Sequence, residues 1–101
     1  MNILTWIQEW YNSNCNGDWE HSYGIKVDNI DNPGWRITID LEETYLADLE
    51  IEYKLIEKSD EDWLGFKVEN SKFIGFGDPF KLEEILFEFR KIAESQTNFG
   101  S

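Results

Sequence analysis

The seven residues from Trp35 to Leu41 put Trp35, Ile37, Ile39 and Leu41 on one side of an extended chain. Arg36, Thr38 and Asp40 fall on the other side. Successive side chains of a strand point to opposite faces, so this run reads as a strand with one buried and one wet face. Such a strand cannot cover its apolar side alone; it needs neighbouring strands and a second layer. The rest of the chain supplies both. Tyr23, Ile25 and Val27 alternate with Gly24, Lys26 and Asp28, and Leu49, Ile51, Tyr53 and Leu55 alternate with Glu50, Glu52 and Lys54. After the polar turn Ser59-Asp60-Glu61-Asp62 come Leu64, Phe66 and Val68 against Gly65, Lys67 and Glu69, and Phe73-Ile74-Gly75-Phe76 closes the set. The connections have turn length, which argues antiparallel pairing. Asp31-Asn32-Pro33-Gly34 is read as a type II turn, with Pro33 pre-setting φ and Gly34 supplying a positive φ.

Helical periodicity brackets these strands. Ile3, Trp6, Ile7 and Trp10 recur at i, i+3, i+4 and i+7, with Leu4 and Tyr11 widening the stripe, and Asn12-Ser13-Asn14 and Asn16-Gly17 break it. Near the other end Leu82, Ile85, Leu86, Phe89 and Ala93 form one stripe, flanked by Ile92. Asp78-Pro79 reads as its N-cap and first helical position, and Asn98 and Gly100 as its end. The expected fold is therefore α+β and two-layered, an antiparallel sheet of four or five strands with the N- and C-terminal helices packed on one face. A chain of 101 residues with 41% hydrophobic residues makes this a single domain, 1–101, able to bury a core.

Charge narrows the function. Lys and Arg number nine against twenty-one Asp and Glu, a formal net charge of −12. Direct nucleic-acid binding, which depends on clustered basic charge, is therefore not expected. No apolar run approaches the roughly 20 residues of a membrane span. The first residues lack the basic region of a secretory signal, and Glu9 follows at once. The single cysteine, Cys15, can form neither an intramolecular disulfide nor a multi-cysteine zinc site, which suits a reducing cytoplasm.

Two regions could carry function. Asp18-Trp19-Glu20-His21-Ser22-Tyr23 gathers acid, imidazole, hydroxyl and phenol before the first strand. Its enzymatic or ligand-binding reading pairs Glu20 or Asp18 with His21 as general base. The bland reading has the same residues tie down the loop. The chain has no second histidine and no metal-ligand spacing, so neither a catalytic residue, a metal site nor a cofactor is expected. Gly75-Phe76-Gly77-Asp78 lacks the full glycine fingerprint of a phosphate site, and Asp78 would repel the anion. The second region runs from Glu42 to Asp62, nine acids in twenty-one positions with only Lys54 and Lys58 among them. A solvated face would look like this, and so would a surface complementary to a basic partner. Among the aromatics, Trp19 and Trp63 fall outside the core phase, and Phe87 lies about 140° around its helix from Leu82. Aromatic residues beside acids are the composition of an interface hot spot.

The runs Trp6-Ile7-Gln8-Glu9-Trp10-Tyr11, Gly17-Asp18-Trp19-Glu20-His21 and Asp31-Asn32-Pro33-Gly34-Trp35 resemble, in order and spacing, the bacterial immunity protein family 53. These are small proteins encoded beside polymorphic toxins. The resemblance implies a cytoplasmic antitoxin that binds and neutralises a cognate protein toxin without catalysis. Charge, independently, suggests that this toxin is basic and that it could be a nuclease. The candidate toxin-binding residues are Asp18, Trp19, Glu20, His21 and Tyr23, with Glu50 and Glu52 on the acidic strand. A monomer or weak dimer is expected.

Overall fold

The computed structural model describes residues 2–97. Helix α1 (Ile3–Asn14) and a single helical turn α2 (Trp19–Ser22) precede strands β1 (Ile25–Ile30), β2 (Gly34–Asp40), β3 (Ile51–Ser59), β4 (Asp62–Glu69) and β5 (Lys72–Gly77). Helix α3 (Leu82–Thr97) follows. The strands form one sheet in the order β1-β2-β5-β4-β3, every neighbour antiparallel. Consecutive β2 and β3 are therefore separated, and residues 41–50 carry the chain to the far edge.

Both terminal helices cover the same sheet face. Phe89 of α3 meets Trp10 of α1 at 5.0 Å between ring centroids and Phe73 of β5 at 5.1 Å. Ile3, Ile7 and Trp10, the alternate residues Ile37, Ile39, Leu64, Phe66, Val68 and Phe73, and Ile85, Leu86, Phe89 and Ala93 form one buried cluster. The period-two and period-3.6 patterns thus select the same core.

Several local features differ from the sequence reading. Segment 18–23, read as a loop, contains the turn α2. Gly34 carries no positive φ; it is the first residue of β2 and pairs with Ile30, leaving Asp31, Asn32 and Pro33 as the connection, with a cis Asn32–Pro33 bond. Its glycine serves close approach instead, because a Cβ there would collide with the Gly77 carbonyl oxygen. Helix α3 starts at Leu82, not at Pro79, because Asp78-Pro79-Phe80-Lys81 forms a separate turn. The expected end at Asn98 and Gly100 lies outside the described residues.

The edge strands depart furthest from the pattern. Val27 shares a face with its partner Ile37 yet is half exposed, since the helical layer does not cover that margin. In β3 the register shifts between Ile51 and Lys54, so Ile56, rather than Leu55, pairs with buried Leu64. Tyr53 and Leu55 are consequently half exposed instead of core. Lys54, Lys58 and two register irregularities mark this strand as an edge guarded against pairing with other sheets.

Candidate functional site

Residues 16–23 fold around their own backbone. Asn16 Oδ1 accepts from the N–H groups of Asp18 and Trp19, both at 2.9 Å. Glu20 reaches back, Oε1 accepting from Asn16 N–H at 3.0 Å and Oε2 from Gly17 N–H at 2.9 Å. Asn16 thus takes the Trp19 N–H, one of the donors that the start of α2 leaves open, while Glu20 pins the two N–H groups of the turn that precedes it. The arrangement also requires the chain to turn at φ 96° at Gly17. Glu20's own backbone N–H, joined by those of Asn16 and Gly17 and by nearby His21, holds its carboxyl below the usual range against a smaller effect of burial.

Trp19 is 2% exposed. Its Nε1–H donates to the Glu42 carbonyl at 2.8 Å, and its ring packs between Trp10, Tyr11 and Tyr23. It therefore offers no face to a partner, whereas Asp18 and His21 are exposed and Glu20 and Tyr23 are half-buried. Each Glu20 oxygen accepts one bond from a backbone N–H, which ties the carboxylate to the turn that precedes α2. Glutamine at position 20 offers one acceptor oxygen instead of two. Glu20→Gln is expected to lower the unfolding midpoint at neutral pH. Because the folded pKa is depressed, that difference is complete above the unfolded value of about 4.3 and closes as pH falls through the folded value. Thermal unfolding of both proteins at pH 7 and pH 3 checks this; a gap of equal size at both would remove the carboxylate's role.

The two regions singled out from sequence meet at one end of the sheet. Trp19 bonds to residue 42, Gly24 N–H to Asp40 Oδ2, and Ser71 Oγ–H to the Ala47 carbonyl. Residues 18–24, 41–50 and the β4–β5 turn are thus tied together, with the start of β3 beside them. Lys72 bridges Asp40 at 2.7 Å and Glu42 at 3.2 Å, and its ammonium pKa is raised, first by the Asp40 hydrogen bond. Asp18, Glu50 and Glu52 are exposed, and they form no ion pair among the described residues.

The opposite end carries a cleft that the sequence reading did not assemble. The β1–β2 connection, the β3–β4 turn and the turn before α3 surround an open cleft of about 500 Å³. Pro33, Trp63, Pro79 and Phe80 line it, with Asp60 and Glu61 at its rim. Beneath it Asp78 is 1% exposed. Asp78 Oδ2 accepts from Trp63 N–H at 2.9 Å and Oδ1 from Phe80 N–H at 2.8 Å. Lys81 Nζ lies 3.0 Å from Asp78 Oδ2 and 2.8 Å from Asp62 Oδ1, and the bond to Asp62 leads the causes that raise its pKa. Trp63's departure from the core phase was the available sequence signal; Phe80 carried none, because its position depends on a turn rather than on a period.

Among the described residues no group of three or more His, Cys, Asp or Glu is placed to hold a metal ion, and no helix is long and apolar enough to cross a membrane. The fold presents exposed acids at one end of an antiparallel sheet, and acids beside an exposed aromatic ring at the other. A family model described as immunity protein 53 matches residues 4–94, and the chain belongs to that family. The match extends the resemblance seen in the first forty residues across the sheet and most of α3. An immunity role, with a cognate toxin as partner, follows from that membership. No curated protein and no solved structure matches the chain.

Proposed function

We propose that this protein disarms a basic, nucleic-acid-cleaving toxin by binding it as a folded monomer in the cytoplasm of the cell that makes both. The observation that carries this reading is family membership combined with a net charge of −12. Toxins that act on nucleic acid need basic surfaces, and an inhibitor with the opposite field finds them quickly and selectively. No catalytic step is required, because occupancy of the toxin's working surface suffices.

Exposed acids at the Asp18–Glu52 end add to the negative field that steers the encounter, and charges that act at long range tune association more than dissociation. The double variant Glu50→Lys with Glu52→Lys alters only exposed side chains. It is expected to slow association about tenfold at low salt and to flatten its salt dependence, with dissociation nearly unchanged. Stopped-flow association with the toxin domain encoded beside this chain, across a salt series, measures both. Co-expression tests the function itself: the intact protein should restore growth to cells producing that toxin. Failure to bind or protect would refute the reading.

A further inference from the structure

We propose that the cleft formed by Pro33, Trp63, Pro79 and Phe80 seats a basic segment of the toxin, with an arginine side chain lying across the aromatic floor toward Asp60 and Glu61. This rests on the immunity reading and assigns it a surface. Phe80 is 87% exposed, the most exposed large apolar residue among those described. The fold uses Phe80's backbone N–H, which closes the turn onto Asp78 Oδ1, and leaves the ring in water. Half-buried Trp63 lines the same cleft. Arginine suits such a place: its guanidinium stacks on aromatic faces and pairs with carboxylates, and its stem covers apolar surface.

Charge selects the occupant. The nearby Asp62 and Asp78 already share the Lys81 ammonium, whereas Asp60 and Glu61 form no ion pair among the described residues. A cationic side chain would therefore meet free carboxylates at the rim without breaking an existing bridge. The backbone that carries these aromatics is also held in place before binding. Asp78 ties the β4 start to the turn before α3, and Trp35 Nε1–H donates to the Pro79 carbonyl at 2.9 Å, tying β2 to the same turn. A backbone fixed in advance leaves only side chains to be ordered when the cleft is covered, which lowers the cost of binding.

The test uses the whole protein and the toxin domain encoded beside it. Phe80→Ala removes only the exposed ring, and Phe80→Tyr restores an aromatic face; Asp60→Asn with Glu61→Gln removes the rim charge and keeps shape. Surface plasmon resonance should show Phe80→Ala weakening the complex about 30-fold or more, mostly through faster dissociation, with Phe80→Tyr close to the native protein. The neutral rim variant should lose about tenfold and show a shallower salt dependence. Unfolding midpoints should match the native protein in all three. Native affinity in both Phe80→Ala and the rim variant, with the toxin still neutralised, overturns the cleft and leaves the immunity reading standing. Failure of the native protein to bind and neutralise that toxin overturns both together.

Discussion

Trp19→Ala is expected to destabilise the fold by about 3–5 kcal/mol, the usual cost of emptying a large aromatic site in a core. α1, α2 and the 41–50 connection meet at this indole. Removing it leaves a void against Trp10, Tyr11 and Tyr23 and deprives the Glu42 carbonyl of its donor. Trp19→Phe keeps most of the ring and loses the N–H, so its cost should be smaller, about 1–3 kcal/mol. Urea unfolding followed by circular dichroism measures both, and a loss below about 1 kcal/mol for Trp19→Ala would mean that the segment is not held by this ring. The pair also separates fold from function. Where Trp19 serves only the fold, folded Trp19→Phe binds the toxin with native affinity; a large loss in that variant would give the Gly17–His21 run a direct part in recognition.

How far the sequence spoke depended on whether a residue's place follows from periodicity. Ile37, Ile39, Phe73, Ile85 and Phe89 lie in central strands or on a helix stripe, where period and burial agree, and they form the core as expected. At the edges the rule weakens. Tyr53 lies within a register shift and Leu55 just past it, on a strand with one neighbour, so alternation no longer fixes which face is covered. Trp19 illustrates the opposite failure: outside any phase, it nevertheless became core, because a single helical turn tied back to Asn16 and Gly17 carried it inward. Asp78 was legible as a capping residue but not as a buried one. Its carboxylate secures a turn and a neighbouring strand rather than the first turn of α3. The cleft above it was invisible for the same reason, since its walls come from three turns far apart in sequence.

Those turns meet over one carboxylate, so Asp78→Ala should be among the most damaging single changes, costing about 3–5 kcal/mol as breakage of a buried ion pair does. The substitution strands the N–H groups of Trp63 and Phe80 and removes one of Lys81's two partners. Asp78→Asn keeps an acceptor oxygen but not the charge, so a smaller loss, about 1–3 kcal/mol, is expected. Burial alone would raise the Asp78 pKa; the N–H groups of Phe80 and Trp63 and the Lys81 ammonium outweigh it and hold the carboxyl below its usual range. A depressed folded pKa contributes stability above the unfolded value, about 3.9, and that contribution is lost as pH falls through the folded value. The gap between native protein and Asp78→Asn should therefore be full at pH 7 and shrink toward pH 2. Lys81 has the reverse sign: with its pKa raised, its contribution is complete below the unfolded value of about 10.4 and fades only as pH rises through the folded one. Urea midpoints at pH 2, 3, 5 and 7 check the acid side, and an Asp78→Ala loss under about 1 kcal/mol would show that the turns are held by something else. Because the same carboxylate fixes Phe80's backbone, folded Asp78→Asn should also release the toxin faster than the native protein, with association nearly unchanged. That would mark the residue as one that positions the aromatic floor rather than one that attracts the partner.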